Sequence, residues 1–244
     1  MILKDDAFPT IVVVIEQGRA IFDSIRKFII YLLSGNVSEI IIVGFALLAG
    51  APLPIMPLQI LYLNMISDVF PAVALGVGKG DPLNMQEPPR DAQEPILANR
   101  HWIIIGLYGL LIAGTVLAAF AVALGRFDKQ HAVTVSFLSL AFGRLWHVFN
   151  MRDWGSGLIV NEVTCNPFVW GALGLCISLL LAGVYLPGLS MVLTLQRPEV
   201  PGWALILGAS LTPLLIVQVI KSLPKPWWTM IAVETRRKKQ TGGP

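Results

Sequence analysis

Apolar residues fall in long blocks along this chain, and the polar side chains collect in the gaps between them. Six blocks reach about 20 mainly apolar residues, the length a helix needs to cross the hydrocarbon core of a bilayer. They lie at 28–50, 56–78, 102–124, 131–151, 168–186 and 202–220. The pattern predicts an all-α integral membrane protein, a bundle of six transmembrane helices. The third, fifth and sixth blocks carry no charge, whereas the other three each hold one charged residue: Glu39, Asp68 and Arg144. Such a residue at a helix centre costs about 2.5–3.5 kcal/mol on insertion scales, so these three positions point to function. Ahead of the first block, the segment to Lys27 reads as a strand or loop entering a helix. Within it Ile15, Ile21, Ile25 and Phe28 recur at helical spacing, which predicts a stalk running unbroken into the first span.

Composition removes other classes. The chain has 244 residues, 55% hydrophobic and 14% charged, against about 25% charged in a soluble domain. With a mean hydropathy of +0.70, an ordinary soluble enzyme and a disordered chain are both excluded. Cys165 and Cys176 are too few for a disulfide framework, and no His or Cys spacing fits zinc or haem. Met1 to Thr10 is mixed and acidic, unlike a cleaved signal peptide. Six spans put both termini on one side. Fourteen basic residues, including Arg26, Lys27, Lys221 and the run Arg236 to Lys239, share that side, and only Arg126, Lys129 and Arg197 lie opposite. The positive-inside rule then predicts cytoplasmic termini, here in the plasma membrane. Trp102, Trp154, Trp170, Trp203, Trp227 and Trp228 stand at or beyond span ends, as interfacial anchors do. The bilayer is the expected partner, and no nucleic acid is expected.

Asn36 and Glu39 stand three residues apart on one face of the first span, and Asn64, Ser67 and Asp68 form a stripe on the second. Two carboxylates, two amides and a hydroxyl make an oxygen-only set, suited to a hard cation such as calcium and poorly matched to zinc or copper. Pro71 lacks an N–H, so the carbonyl of Ser67 loses its helical donor and joins the candidate ligands. The plainer alternative is that these polar groups only join helices by hydrogen bonds. Arg144 keeps its charge and must find a carboxylate or water, or else snorkel to the headgroups. His147, one turn on, either shares its polar stripe or sits as a satisfied interfacial group. There is no G-x-x-x-x-G-K-[ST] phosphate loop and no H-E-x-x-H, so no catalytic residue is expected in this chain.

These residues closely resemble the C-terminal membrane portion of the type II cation-transporting P-type ATPases, nearest the calcium pumps. Leu3-Lys4-Asp5-Asp6-Ala7-Phe8-Pro9-Thr10-Ile11 and Ile15-Glu16-Gln17-Gly18-Arg19-Ala20-Ile21 resemble the end of the family's phosphorylation domain and the start of its fifth-helix stalk. Asn36-Val37-Ser38-Glu39 resembles the ion-binding Asn-Val-Gly-Glu, with Ser38 in place of Gly. Asn64-Met65-Ile66-Ser67-Asp68 with Pro71-Ala72 resembles Asn-x-x-Thr-Asp-x-x-Pro-Ala, with Ser67 in place of Thr, and Pro88-Pro89-Arg90 and Glu94-Pro95 match the loop that follows. The resemblance implies that the spans are the family's helices five to ten. Residues 1–27 would be the end of the phosphorylation domain and the stalk, 28–78 the ion-binding helix pair, and 79–101 a cytoplasmic loop. The supporting four-helix bundle would be 102–220 and the basic tail 221–244.

It also implies that the first four helices, a fourth-helix carboxylate and the domains that handle ATP and Mg2+ lie outside this chain, which would be a fragment or split product. Asp128-Lys129 shares only two residues with the family's Asp-Lys-Thr-Gly. Counting back from Phe149-Asn150 puts Arg144 where the two-site calcium pumps use a glutamate. Arg144 is therefore expected beside Glu39 as a built-in counterion that removes one of two cation sites, leaving Asp68 as the main proton carrier. The reading is the membrane transport module of an ATP-driven cation pump, with calcium as the transported ion. The rival is a stand-alone non-enzymatic membrane protein: a passive cation pathway, an assembly partner or a degenerate fragment. A secondary carrier is weaker, since no inverted repeat with paired broken helices is visible.

Overall fold

Helix α1 runs from Phe8 to Leu48, 41 residues without a break. At 1.5 Å per residue that is about 60 Å, twice the thickness of the hydrocarbon core, so one rod serves as both span and extension. The computed structural model describes residues 8–77, 95–153 and 156–222. Among them there is no strand, and the segment before Lys27 is helical from Phe8 onward instead of a strand or loop. Trp154, Trp227, Trp228, the motif Pro88-Pro89-Arg90, Glu94, and the run Arg236 to Lys239 lie outside the described residues.

Among the described residues six helices are long and apolar enough to cross a membrane, which makes this a multi-pass integral membrane protein. The second is not uniform: α2 (Pro57–Leu63) passes through a π-helical turn (Asn64–Asp68) into α3 (Val69–Gly76). The others are α4 (Asn99–Leu124), α5 (Lys129–His147, extended by a 3-10 turn over Val148–Met151), α6 (Pro167–Tyr185) and α8 (Val200–Ser222). A short helix, α7 (Pro187–Val192), lies between α6 and α8. Caps follow local chemistry. Pro57 and Pro167 occupy first turns, where a missing N–H costs nothing. Asp128 accepts from the amides of Gln130 and His131. Asn166 caps α6 through Phe168 and reaches the carbonyl of Ala74 at 2.9 Å, tying the end of α3 to the start of α6.

Helix α5 is the axis. It packs against α4, α8 and α6, and its buried faces carry small residues, among them Ala132, Ser136, Ser139, Ala141 and Gly143, that let neighbouring backbones approach. Helix α1 packs along α4 with Gly109 at the contact, where a Cβ would lie 2.6 Å from Val37 Cγ1. Trp102 and Trp170 are exposed near span starts and Trp203 is partly buried.

The connection from α5 to α6 is strapped to α1. Lys27 Nζ donates to Asp153 Oδ2 at 2.6 Å and to Glu162 Oε1 at 3.3 Å, and the amide of Asp153 also donates to Glu162. Burial raises the pKa of either acid. For Asp153 burial prevails over Lys27 and holds the carboxyl above the usual aspartate range. For Glu162 the Lys27 ammonium and the backbone amides outweigh it and hold the carboxyl below its usual range. A depressed acid contributes stability while it is ionised and loses it as pH falls. Glu162→Gln is expected to lower stability by about 1 kcal/mol at neutral pH. That deficit should be complete above the ordinary glutamate value of 4.5 and shrink as pH falls below it, as unfolding in micelles across pH will show.

Candidate functional site

The guanidinium of Arg144 is 2% exposed and lies inside the bundle, not at the headgroups. A buried charge of this kind needs both opposite charge and hydrogen-bond acceptors. Nη1 donates to Glu39 Oε1 and, at 3.0 Å, to Asn64 Oδ1, while Nη2 donates to Asp68 Oδ1. One residue on α5 thereby joins α1 to the π-helical turn. Arg144 lies beside Glu39, and because a planar fork has several donors it reaches Asp68 at the same time. Counted in their ionised forms, the three side chains sum to −1, two acids against one base. Asp68 is the more open acid, its side chain 20% exposed against 9% for Glu39.

Space for the guanidinium comes from Gly35, where a Cβ would lie 2.7–2.9 Å from Arg144 Nε, Nη2 and Cζ. Tyr31, Gly35 and Glu39 stand at four-residue steps on α1, so this glycine lies on the stripe that faces the arginine. That stripe was present in the sequence, but nothing in the sequence alone tells which helix it faces.

Ser67 behaves differently from its neighbours. Its hydroxyl turns back to the carbonyl of Leu63 at 2.7 Å. Its own carbonyl, freed by Pro71, accepts the phenol of Tyr31 at 2.9 Å. The carbonyl of Ile66 accepts the thiol of Cys176 at 3.4 Å. Asn36 does not join the arginine, and its Oδ1 is buried with no hydrogen-bond partner among the described residues. The structure thus brings Glu39, Asn64 and Asp68 together on Arg144 and leaves Asn36 and Ser67 beside them. Among the described residues no three His, Cys, Asp or Glu side chains cluster as a metal site, so a cation here needs amide and carbonyl oxygens as well.

His147 is a core residue rather than an interfacial one. Nε2 meets Ser34 Oγ at 2.9 Å and Nδ1 meets Asn150 Nδ2 at 3.1 Å. Asn150 Nδ2 can only donate, so Nδ1 accepts and the imidazole proton is assigned to Nε2, toward Ser34 Oγ. The ring stacks on Tyr31 and meets Tyr108 edge-on.

The family model described as "Cation transporting ATPase, C-terminus" matches residues 52–223, well over half of the chain. The chain belongs to this family. It is a C-terminal membrane region of a type II P-type cation ATPase. It is 35% identical over 216 residues to the calcium-transporting ATPase of Bacillus subtilis (strain 168), covering 87% of this chain and 24% of that protein. It is 32% identical over 241 residues to calcium-transporting ATPase 1 of Bacillus cereus, covering 92% of this chain and 27% of that protein. The P-type sodium-transporting ATPase4 of Plasmodium falciparum is 44% identical over 162 residues, covering 66% of this chain and 12% of that protein. The chain spans about a quarter of the length of the calcium-transporting relatives it matches.

In this family member the Arg144 contacts carry an energetic consequence. Arg144→Gln leaves two buried carboxylates without a counter-charge and is expected to destabilise the bundle by about 3–5 kcal/mol at neutral pH. Adding Glu39→Gln and Asp68→Asn removes the unpaired charges and should recover most of that loss, measured by unfolding in micelles.

Proposed function

We propose that this chain is the membrane transport module of an ATP-driven pump, that calcium is its cargo, and that side-chain oxygens of Asn36, Glu39, Asn64, Ser67 and Asp68 supply the cation's ligands. The reading rests on one observation above all: carboxylates from two spans converge inside the membrane-spanning bundle on a single arginine. Helix association alone needs no such costly arrangement. Glu39 and Asp68 each keep a second oxygen outside the arginine contacts, and Asn36 Oδ1 has no partner among the described residues, which supports a donor set with room for an ion. The names of the Bacillus relatives support calcium. The placement of the basic residues supports cytoplasmic termini.

Arg144 acts in this reading as a fixed counterion. The local charge of −1 and the further carboxylate that the resemblance assigns to a helix outside this chain sum to −2, which balances one divalent ion. Emptied of its cation, a site with uncompensated negative charge in a low-dielectric setting takes up protons, so cation and protons move in opposite directions. A monovalent cargo is the second reading, favoured by the sodium pump named among the relatives.

In the whole pump that carries this segment, Asp68→Asn should abolish cation-stimulated phosphorylation from ATP, and an unchanged cation dependence would count against the assignment. Arg144→Glu should raise calcium bound per phosphoenzyme from one toward two. A ratio that stays at one would mean that the arginine is no counterion. Transport into vesicles without opposite proton movement, followed with a pH dye, would remove the exchange step.

A further inference from the structure

The second span shows a periodicity that no ordinary α-helix holds. Gln59, Leu63, Ser67, Pro71 and Leu75 are all buried, at strict four-residue steps. Leu61, Met65, Val69, Val73 and Val77 are all exposed, again at four-residue steps. Four residues overshoot an α-helical turn by about 40°, so four such steps drift by about 160° and would carry Leu75 to the side opposite Gln59. The π-helical turn at Asn64–Asp68 accommodates an extra residue, about 100° of winding. The remaining drift fits within an apolar face at least 100° wide. Asn64 and Asp68, four residues apart, form the two ends of this turn and both meet Arg144.

A wide turn persists only where its carbonyls find other donors. Here they do. Pro71 withholds the N–H that would close on Ser67, and the fully buried phenol of Tyr31 takes that carbonyl instead. Cys176 from α6 and the hydroxyl of Ser67 satisfy the carbonyls of Ile66 and Leu63. We propose that Tyr31 is a positioning residue for the cation: its phenol holds the carbonyl that Pro71 leaves without a donor, and so keeps the turn wide and Asn64 and Asp68 facing Glu39. The freed carbonyl is thus a structural joint held by α1, not an open ligand. This inference rests on the transport reading above and adds to it a residue outside the oxygen set.

Tyr31→Phe removes one oxygen and keeps the ring against His147. In the whole pump, the calcium concentration giving half-maximal phosphorylation from ATP is expected to rise about tenfold, the scale of one lost buried hydrogen bond, with the maximal level little changed. Pro71→Ala, which lets the turn close on itself, should raise it as well. Because both act on one carbonyl, the double variant should be no worse than the poorer single one, whereas independent effects multiply. Tyr108→Phe, which alters the other phenol against His147, should leave the value unchanged.

An unshifted half-maximal concentration in Tyr31→Phe, or a multiplicative double variant, overturns the inference while leaving the transport reading in place. A wild-type pump indifferent to calcium and sodium overturns both. If Tyr31→Phe does not assemble, Pro71→Ala alone decides, since an unchanged value there removes the joint.

Discussion

A guanidinium sealed inside a membrane bundle constrains everything around it. Arg144 keeps its charge wherever it is placed, so the fold must bring it opposite charge and acceptors, and must do so from more than one helix. Glu39 comes from α1, while Asn64 and Asp68 come from the turn between α2 and α3. Gly35 exists at the crossing because any larger residue would displace the guanidinium. The small buried residues of α5 let its neighbours close around the same axis. Packing and charge therefore specify one arrangement jointly, and neither can shift without the other.

The second span answers to the same constraint by backbone means. Its slow winding directs one face to the bundle and one face outward, and Asn64 and Asp68 at the ends of the wide turn meet the arginine. The donors that permit it come from the span itself, from α1 and from α6. A break in a membrane helix is tolerable when neighbours satisfy its freed groups, and here each neighbour that does so also borders the site.

Helix α1 links these parts over a distance. Lys27 binds the connection from α5 to α6, Tyr31 holds the wide turn, Ser34 holds His147, and Glu39 meets Arg144. Twelve residues separate the first of these from the last, about 18 Å along a single rigid rod.

Six apolar blocks and their lengths were legible from the chain because a bilayer demands the same local answer of every span: enough apolar residues and internally satisfied backbone. The charges that stood out, Glu39, Asp68 and Arg144, were legible for the converse reason, that each is expensive in that setting. What the chain alone left open was partnership. Whether Arg144 reached the headgroups, one acid or both depended on how α5 lies against two other spans, which no local pattern encodes. The loss of a donor at Pro71 was readable from covalent structure. That Tyr31, forty residues earlier, would supply the replacement was not, since hydrogen bonds between spans are set by their packing. Local chemistry determined which groups needed partners, and only the tertiary structure, by bringing distant helices within reach, decided which partners they found.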